Sequence, residues 1–234
     1  MSAQSLQLIS SMATRKLLDE LASQYTAATG QAVYCSAAGG VDVAKRIRAG
    51  EYSDVVVLAD NVIDKLISEG HLLPGSRVDV VRSGVAVAVP AGAPLPDLST
   101  EQSVRQAVLD APTLSYSTGP SGVYLEQLFA RWGIFETVKP RIVVPPPGVP
   151  VGSLVSDGRV ALGFQQLSEL MGVAGLVVAG PLPPAIQTLT VFAGGVCGLS
   201  TAPVQAAALL AHLGSPATAD AKQRHGMEGV ALAR

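Results

Sequence analysis

The spacing of apolar and polar positions divides the chain into short elements with two different periods. Leu6, Leu8 and Ile9 form an apolar run that stops at Ser10-Ser11. Directly after it Leu17, Leu18, Leu21 and Tyr25 fall on one helical stripe that ends at Gly30. A second strand is predicted over Gln31–Ser36, followed by a flexible loop through Gly39-Gly40 and a helix from about Asp42 to Ala49. Val55–Leu58 is apolar without interruption, the mark of a parallel strand buried on both faces, and Asp60-Asn61 can cap a helix over Val62–Glu69. The order β-α-β-α-β-α is that of a doubly wound sheet, in which ligands sit outside the carboxyl ends of the strands. Ser10, Ser11, Ser36, Gly39, Gly40 and Asp60 all fall at that edge.

The second half follows the same grammar. Val85–Val89 reads as a strand, and Ser99 or Thr100 caps a helix reaching about Leu109. A short strand at Leu114–Tyr116 runs into Ser117-Thr118-Gly119-Pro120-Ser121-Gly122, and a helix follows over Val123–Trp132. Strands are expected at Arg141–Val144, Val160–Phe164, Gly175–Val178 and Gln187–Ala193, with Gln165-Gln166 in the loop directly after Val160–Phe164. A helix over Val151 to about Ser156 follows the proline-rich turn 145–150, and two more close the chain, Ala202–Leu213 and about Ala217–His225. Strand, polar loop and helix N-terminus thus occur together at Ser10-Ser11, at Ser117–Gly122 and, more weakly, after Gly148. Free amides at the positive end of a helix dipole, flanked by hydroxyls, hold an anion, although a serine there can also be a plain N-cap. The expected fold class is α/β, with two doubly wound lobes: residues 1–82 plus 191–234, and 83–190. Two chain crossings between them would form a hinge.

Composition narrows the function. With 48% hydrophobic residues, 15% charged residues and a net charge of −2, the chain has a real core and no basic stripe, which excludes a nucleic-acid partner. Aromatics at 4% argue against a base-stacking surface. No stretch approaches the length of a membrane span, so no membrane insertion is expected. The N-terminus carries no basic segment, so a cytoplasmic location is expected as given, or a periplasmic one if a leader was removed. Cys35 and Cys197 are read as thiols. No metal-ligand spacing, nucleophile elbow or Walker loop is present, and no cofactor or metal is expected.

Several stretches together resemble the type 2 periplasmic binding proteins, most nearly the molybdate-binding proteins of ABC transporters. They are Ser10-Ser11-Met12, AKRIRAGEYSDVVVLAD (44–60), SDGRVALGFQQLSEL (156–170) and KQRHGMEG (222–229). The resemblance implies a bare anion held between the lobes by hydroxyls and backbone amides, with an ABC permease as partner if the protein is exported. On matching positions Ser11 would be the ligand of the first loop, Ser121-Gly122 would supply amides, and Gly148-Val149 another. Two departures stand out. The second loop of the family usually carries a serine before its helix, where this chain has Gly39-Gly40-Val41, with Ser36 a few residues early. A tyrosine of the family corresponds to Gln166. Open space at the glycines and an amide that both donates and accepts suit an organic acid of two or three carboxylates better than a compact tetrahedral oxyanion.

Three functions therefore stay open: capture of a small organic anion, an aconitate-type isomerase using the same pocket, and a molybdate or tungstate receptor. An isomerase would shift a proton across three carbons and needs one base together with donors for the developing charge. Ser10, Ser11, Thr118, Ser121, Gln166 and the amides near Gly122 are the donors. The base is not identified; Asp60, Asp42, Glu126, Tyr124, Cys35, His71, His212 and His225 are the candidates. Arg15, Arg77, Arg82 and Arg141 are the cations available to a carboxylate.

Overall fold

The computed structural model describes residues 5–146 and 148–230; Pro147, within the proline-rich turn read from the sequence, lies outside them. The chain divides into two compact units. Unit 1 comprises the segment up to Ser83 and the segment from Thr190 onward; unit 2 is Gly84–Leu189.

Unit 1 opens with β1 (Leu6–Ser11), a 3-10 turn at Met12–Thr14 and α1 (Arg15–Thr29). The strand runs through both serines rather than stopping before them, because parallel pairing continues to Ser10↔Ala37 and Ser11↔Ala38. Gly30 ends α1 in the left-handed region at φ 76°, a conformation glycine adopts without a Cβ penalty. Then come β2 (Val33–Ala38), α2 (Gly40–Arg48), β3 (Val55–Ala59), α3 (Asp60–Ser68) and β4 (Val78–Pro90), which carries the chain into unit 2. β1 lies between β2 and β3, parallel to both, and the late strand β8 (Leu189–Val196) adds to β3 antiparallel. Strand alternation puts Leu6 and Leu8 against Leu17, Leu18 and Leu21 on one face. On the other, Ile9, Val56 and Leu58 pack on Val43, Ile47, Ile63 and Leu66. The unbroken apolar run of β3 is therefore covered on both sides.

The motif stretch at 44–60 also hides a structural anchor. Asp54, only 2% exposed, accepts the Gln7 amide on Oδ2 at 2.8 Å. Its Oδ1 accepts the Tyr52 and Ser200 hydroxyls at 2.9 and 2.6 Å. Three donors compensate the burial of this carboxylate and tie β1, β3 and the loop after β8 together at the end of the strands remote from Ser11.

Unit 2 contains α4 (Glu101–Asp110), β5 (Leu114–Tyr116), α5 (Pro120–Arg131), α6 (Phe135–Val138), α7 (Val151–Ser156), β6 (Leu162–Gln166), α8 (Leu167–Leu170) and β7 (Leu176–Pro181). Thr100 caps α4 in a reciprocal box with Ser103. β4 pairs antiparallel with β6 on one side and β7 on the other, and β5 joins β6 in parallel. Val85, Val87, Phe129 and Phe164 fill one face. On the other, the small residues Ala86 and Ala88 let Val151, Leu154 and Val155 of α7 approach. The strand expected at Arg141–Val144 does not form. A 3-10 turn occupies Lys139–Arg141, and only Ile142 bridges to Leu114. Pro140 and Pro145, which lack an amide proton, bound the segment and prevent a ladder. The chain returns to unit 1 along β8 (Leu189–Val196) and ends with α9 (Pro203–Gly214) and α10 (Ala219–Arg224).

Candidate functional site

In unit 1 the carboxyl ends of β1, β2 and β3 come to one edge because the three strands are parallel and adjacent. The two serines at the end of β1 point to opposite faces. Ser10 is 1% exposed and donates to the Ser11 carbonyl at 3.2 Å. Ser11 is 8% exposed, and its hydroxyl lies 3.5 Å from Thr14 Oγ1, a distance at which little bonding remains. The Thr14 hydroxyl itself donates to the Ser11 carbonyl at 3.2 Å. The Ser11 hydroxyl is thus nearly buried and weakly engaged.

Beside it α2 begins. Gly39 is the cap and no side chain caps the first turn. A Cβ on Gly39 would meet nothing within 4 Å. One on Gly40 would make ordinary contacts of 3.8 Å with Leu58 and with the Ser11 Cβ. Neither glycine has a positive φ, so the fold does not demand them; they leave bare amides and open space next to Ser11. Ser36 stands two positions back from this edge, level with Ile9, and its hydroxyl is directed at the Leu8 carbonyl at 3.5 Å. Asp60 opens α3 at the same edge, its Oδ1 accepting the Asn61 amide at 2.7 Å.

Unit 2 builds a second group of donors. β5 ends at Tyr116, and Pro120 is the first residue of α5, where its missing amide proton costs nothing. Ser121 and Gly122 therefore lie inside the first turn. The Ser117 and Ser121 hydroxyls are 2.8 Å apart. A Cβ on Gly122 would overlap the Ser117 carbonyl oxygen, so only glycine lets the loop lie on the helix start. Thr118 is exposed. Gln165 and Gln166 lie within β6 and are buried, rather than in the loop expected from sequence. Tyr116 is level with Phe164, which puts Gln166 two positions further along, on the Phe164 face. Gln165 faces the other way, accepting the Gly152 amide at 3.0 Å and donating to Glu169 at 2.8 Å, so it caps α7. The Val149 amide donates to the Pro146 carbonyl at 3.0 Å, with Gly148 at φ 77°. It closes a turn instead of standing free as the sequence reading expected.

The titratable candidates scatter. The Tyr116 hydroxyl donates to Glu126 at 3.1 Å; burial, then the Glu126 charge, raises its pKa. Tyr124 donates to the Ile186 carbonyl at 2.8 Å. Cys35 and Cys197 are free thiols, both pushed up to about 12 by burial first and a neighbouring aspartate second. Neither is a nucleophile at neutral pH. His225 pairs with Glu20 at 2.8 Å, and burial, then Lys222, lowers the pKa of His212. Arg77 is engaged by Asp64 and Asp79 and lies 4.0 Å from Asp60, Arg82 is engaged by Glu228, and Arg141 by the Leu109 and Ala111 carbonyls. Arg15, exposed, opens α1 one turn after Ser11. Among the described residues no group of three or more His, Cys, Asp or Glu side chains could hold a metal ion. Pattern alone does not single out Thr14, whose hydroxyl lies three residues after Ser11 across a helix start. Ser117, in the polar loop before α5, meets the hydroxyl of Ser121 four residues on.

The family model for a bacterial extracellular solute-binding protein matches residues 6–228. Aconitate isomerase of a Pseudomonas species is 35% identical over 233 residues, covering 96% of this chain and 88% of that protein. The periplasmic molybdate-binding protein of Azotobacter vinelandii superposes with a TM-score of 0.79 at 24% identity, over 98% of this chain and all (100%) of that one. The sulfate-binding protein SubI of Mycobacterium tuberculosis gives 0.79 at 14% identity, over 98% and 88%. These two likenesses show the fold. With its parallel strands, helix starts at their carboxyl ends and a family match across nearly all of its length, this chain belongs to the bacterial extracellular solute-binding proteins and has the molybdate-binding-protein-like fold.

Proposed function

We propose that the protein binds an aconitate-type tricarboxylate. The observation that carries this reading is the weakly engaged Ser11 hydroxyl beside the uncapped start of α2, with open space at Gly39. Neutral donors bind a carboxylate through charge-assisted bonds without the desolvation of a second ion. The open space at Gly39 favours a carbon-bearing acid over a compact tetrahedral oxyanion. Kinship with an aconitate isomerase supports the choice among carboxylates. A thermal-shift series with cis- and trans-aconitate, citrate, sulfate, molybdate and tungstate tests it. A ligand at 100 times its Kd stabilises by about 2.7 kcal/mol, or roughly 5–11 °C for a chain of this size. A shift with molybdate or tungstate alone overturns the reading.

The same kinship favours a second reading, that the bound acid is isomerised. A base takes a proton from the methylene carbon, and the electron pair spreads over the allylic system into a carboxylate held by the donors. The proton then returns at the other end as the double bond moves. Serine hydroxyls are too weak as bases. Asp60, which opens α3 with its Oδ2 4.0 Å from Arg77, is the carboxylate we assign to this role. Following trans-aconitate by NMR in deuterated water distinguishes binder from isomerase. Loss of isomerisation with retained binding in Asp60→Asn is the expected result, and full activity in that variant removes Asp60 from the reading.

A further inference from the structure

We propose that Arg15 takes a second carboxylate of the ligand whose first carboxylate is held at Ser11. The inference rests on the proposed function above and stays within unit 1. Every other described arginine of unit 1 is held by a carboxylate: Arg46 by Glu51, Arg48 by Glu69, Arg77 by Asp64 and Asp79, Arg82 by Glu228 and Arg224 by Glu20. Among the described residues Arg15 has no such partner. Its position is unfavourable without one. Arg15 is the first residue of the 15-residue helix α1, whose first turn holds no acid and whose cap, Thr14, makes no side-chain capping bond. The positive end of the helix dipole repels a cation there and attracts an anion. A local rule broken without compensation inside the fold marks a place where function outweighs stability. A second observation, independent of the helix, points to a ligand. The Ser11 hydroxyl, on a residue 8% exposed, has only the 3.5 Å contact with Thr14, the residue directly before Arg15. This nearly buried hydroxyl stands between the starts of α1 and α2, since a Cβ on Gly40 would lie 3.8 Å from that of Ser11. Ser11 and Arg15 lie at different depths, one nearly buried and one exposed. A ligand that uses both therefore carries two anionic groups, one reaching in to the hydroxyl and one left near the surface. The planar fork of a guanidinium suits the outer carboxylate, which it can bind through two parallel hydrogen bonds.

Calorimetric titration with propane-1,2,3-tricarboxylate, a saturated analogue that cannot isomerise, tests the assignment in the wild type, Arg15→Gln, Arg15→Glu, Arg46→Gln and Ser11→Ala. Each protein is titrated at about 10 mM and about 0.5 M salt and is also melted. Arg46→Gln removes the same charge from the last turn of α2 and is expected to bind within about twofold of the wild type. Arg15→Gln is expected to lose about three- to tenfold in affinity at low salt. The difference should shrink to within about twofold at high salt, where an exposed ion pair is screened. Arg15→Glu puts an acid in the first turn of α1, so it should melt about 1–4 °C higher than the wild type while losing more than about tenfold in affinity. A structural role for Arg15 would lower melting and affinity together, and that result overturns the inference. A loss in Arg15→Gln that only equals that of Arg46→Gln, or that is the same at both salt concentrations, overturns it too. Loss in Ser11→Ala with wild-type affinity in Arg15→Gln overturns this inference alone. Wild-type affinity in Ser11→Ala, or no binding of the probe by the wild type, overturns the proposed function and the inference with it.

Discussion

Replacing Gly122 by alanine is the sharpest steric test of the unit 2 loop. The backbone of Gly122 has no positive φ, so alanine is conformationally acceptable there and gains slightly in helix propensity. The obstacle is contact. The new Cβ would overlap the Ser117 carbonyl oxygen and come within 3.2 Å of Tyr116 Cδ2. The first contact is with backbone that cannot rotate aside, and Tyr116 is held by its bond to Glu126. Overpacking typically costs 1–3 kcal/mol, and a rigid backbone partner puts this case near the top, at about 3 kcal/mol. At about 2–4 °C per kcal/mol for a chain of this size, melting should fall by roughly 6–12 °C. Relief requires the 117–119 loop to lift off α5 by about an ångström or more, which breaks the Ser117–Ser121 bond. The assay is a calorimetric melt together with titration of the tricarboxylate. Gly39→Ala is the control, since its Cβ meets nothing within 4 Å. It should melt within about 2 °C of the wild type and, by filling the space beside Ser11, still weaken binding. A Gly122→Ala protein with wild-type melting and affinity would refute the steric reasoning.

Ser11→Ala should weaken tricarboxylate binding by about 10- to 150-fold, the worth of a hydrogen bond to a charged group, with melting nearly unchanged because the bond lost within the protein is 3.5 Å long. Asp54→Ala leaves the Gln7 amide and the Tyr52 and Ser200 hydroxyls without their acceptor and should destabilise by about 3–5 kcal/mol, read by denaturant melts; a loss under about 1 kcal/mol would show that the network is not the anchor described. His212 has a buried Nε2 with no hydrogen-bond partner among the described residues and lies tilted against Tyr25, with ring centroids 5.3 Å apart. Burial, then Lys222, holds its pKa below the unfolded value of about 6.5, so the unfolded chain binds more protons and stability falls as pH drops through that value. His212→Leu should therefore raise melting at pH 5–6 more than at about pH 8; an unchanged slope of melting against pH would sink this. The two thiols, pushed up to about 12, should react with a disulfide reagent far more slowly in the native protein than after unfolding.

Much of the fold was legible because the elements are short and strongly patterned. The stripe Leu17, Leu18, Leu21, Tyr25 and the run Val55–Leu58 each match one period and are buried as that period requires. The misreadings share a cause: side-chain pattern does not report where hydrogen-bond pairing ends. Ser10 and Ser11 look like a loop, yet the parallel ladder with Ala37 and Ala38 carries them into β1. Gln165 and Gln166 look like a loop for the same reason and lie inside β6. Arg141–Val144 looks like a strand, yet its flanking prolines leave it one bridge.

The sequence by itself determined that this chain alternates strands with helices and places hydroxyls and glycines at helix starts, because period and capping chemistry are local properties. Tertiary structure alone decided which of those hydroxyls remain available. Ser36 faces a carbonyl of its neighbouring strand, and the Val149 amide closes its own turn. Ser121 is buried against Ser117, while Ser11 is left nearly without a partner beside an uncapped helix. Every serine carries the same donor and acceptors, and only the partners brought in by distant strands and helices determine which proton is free.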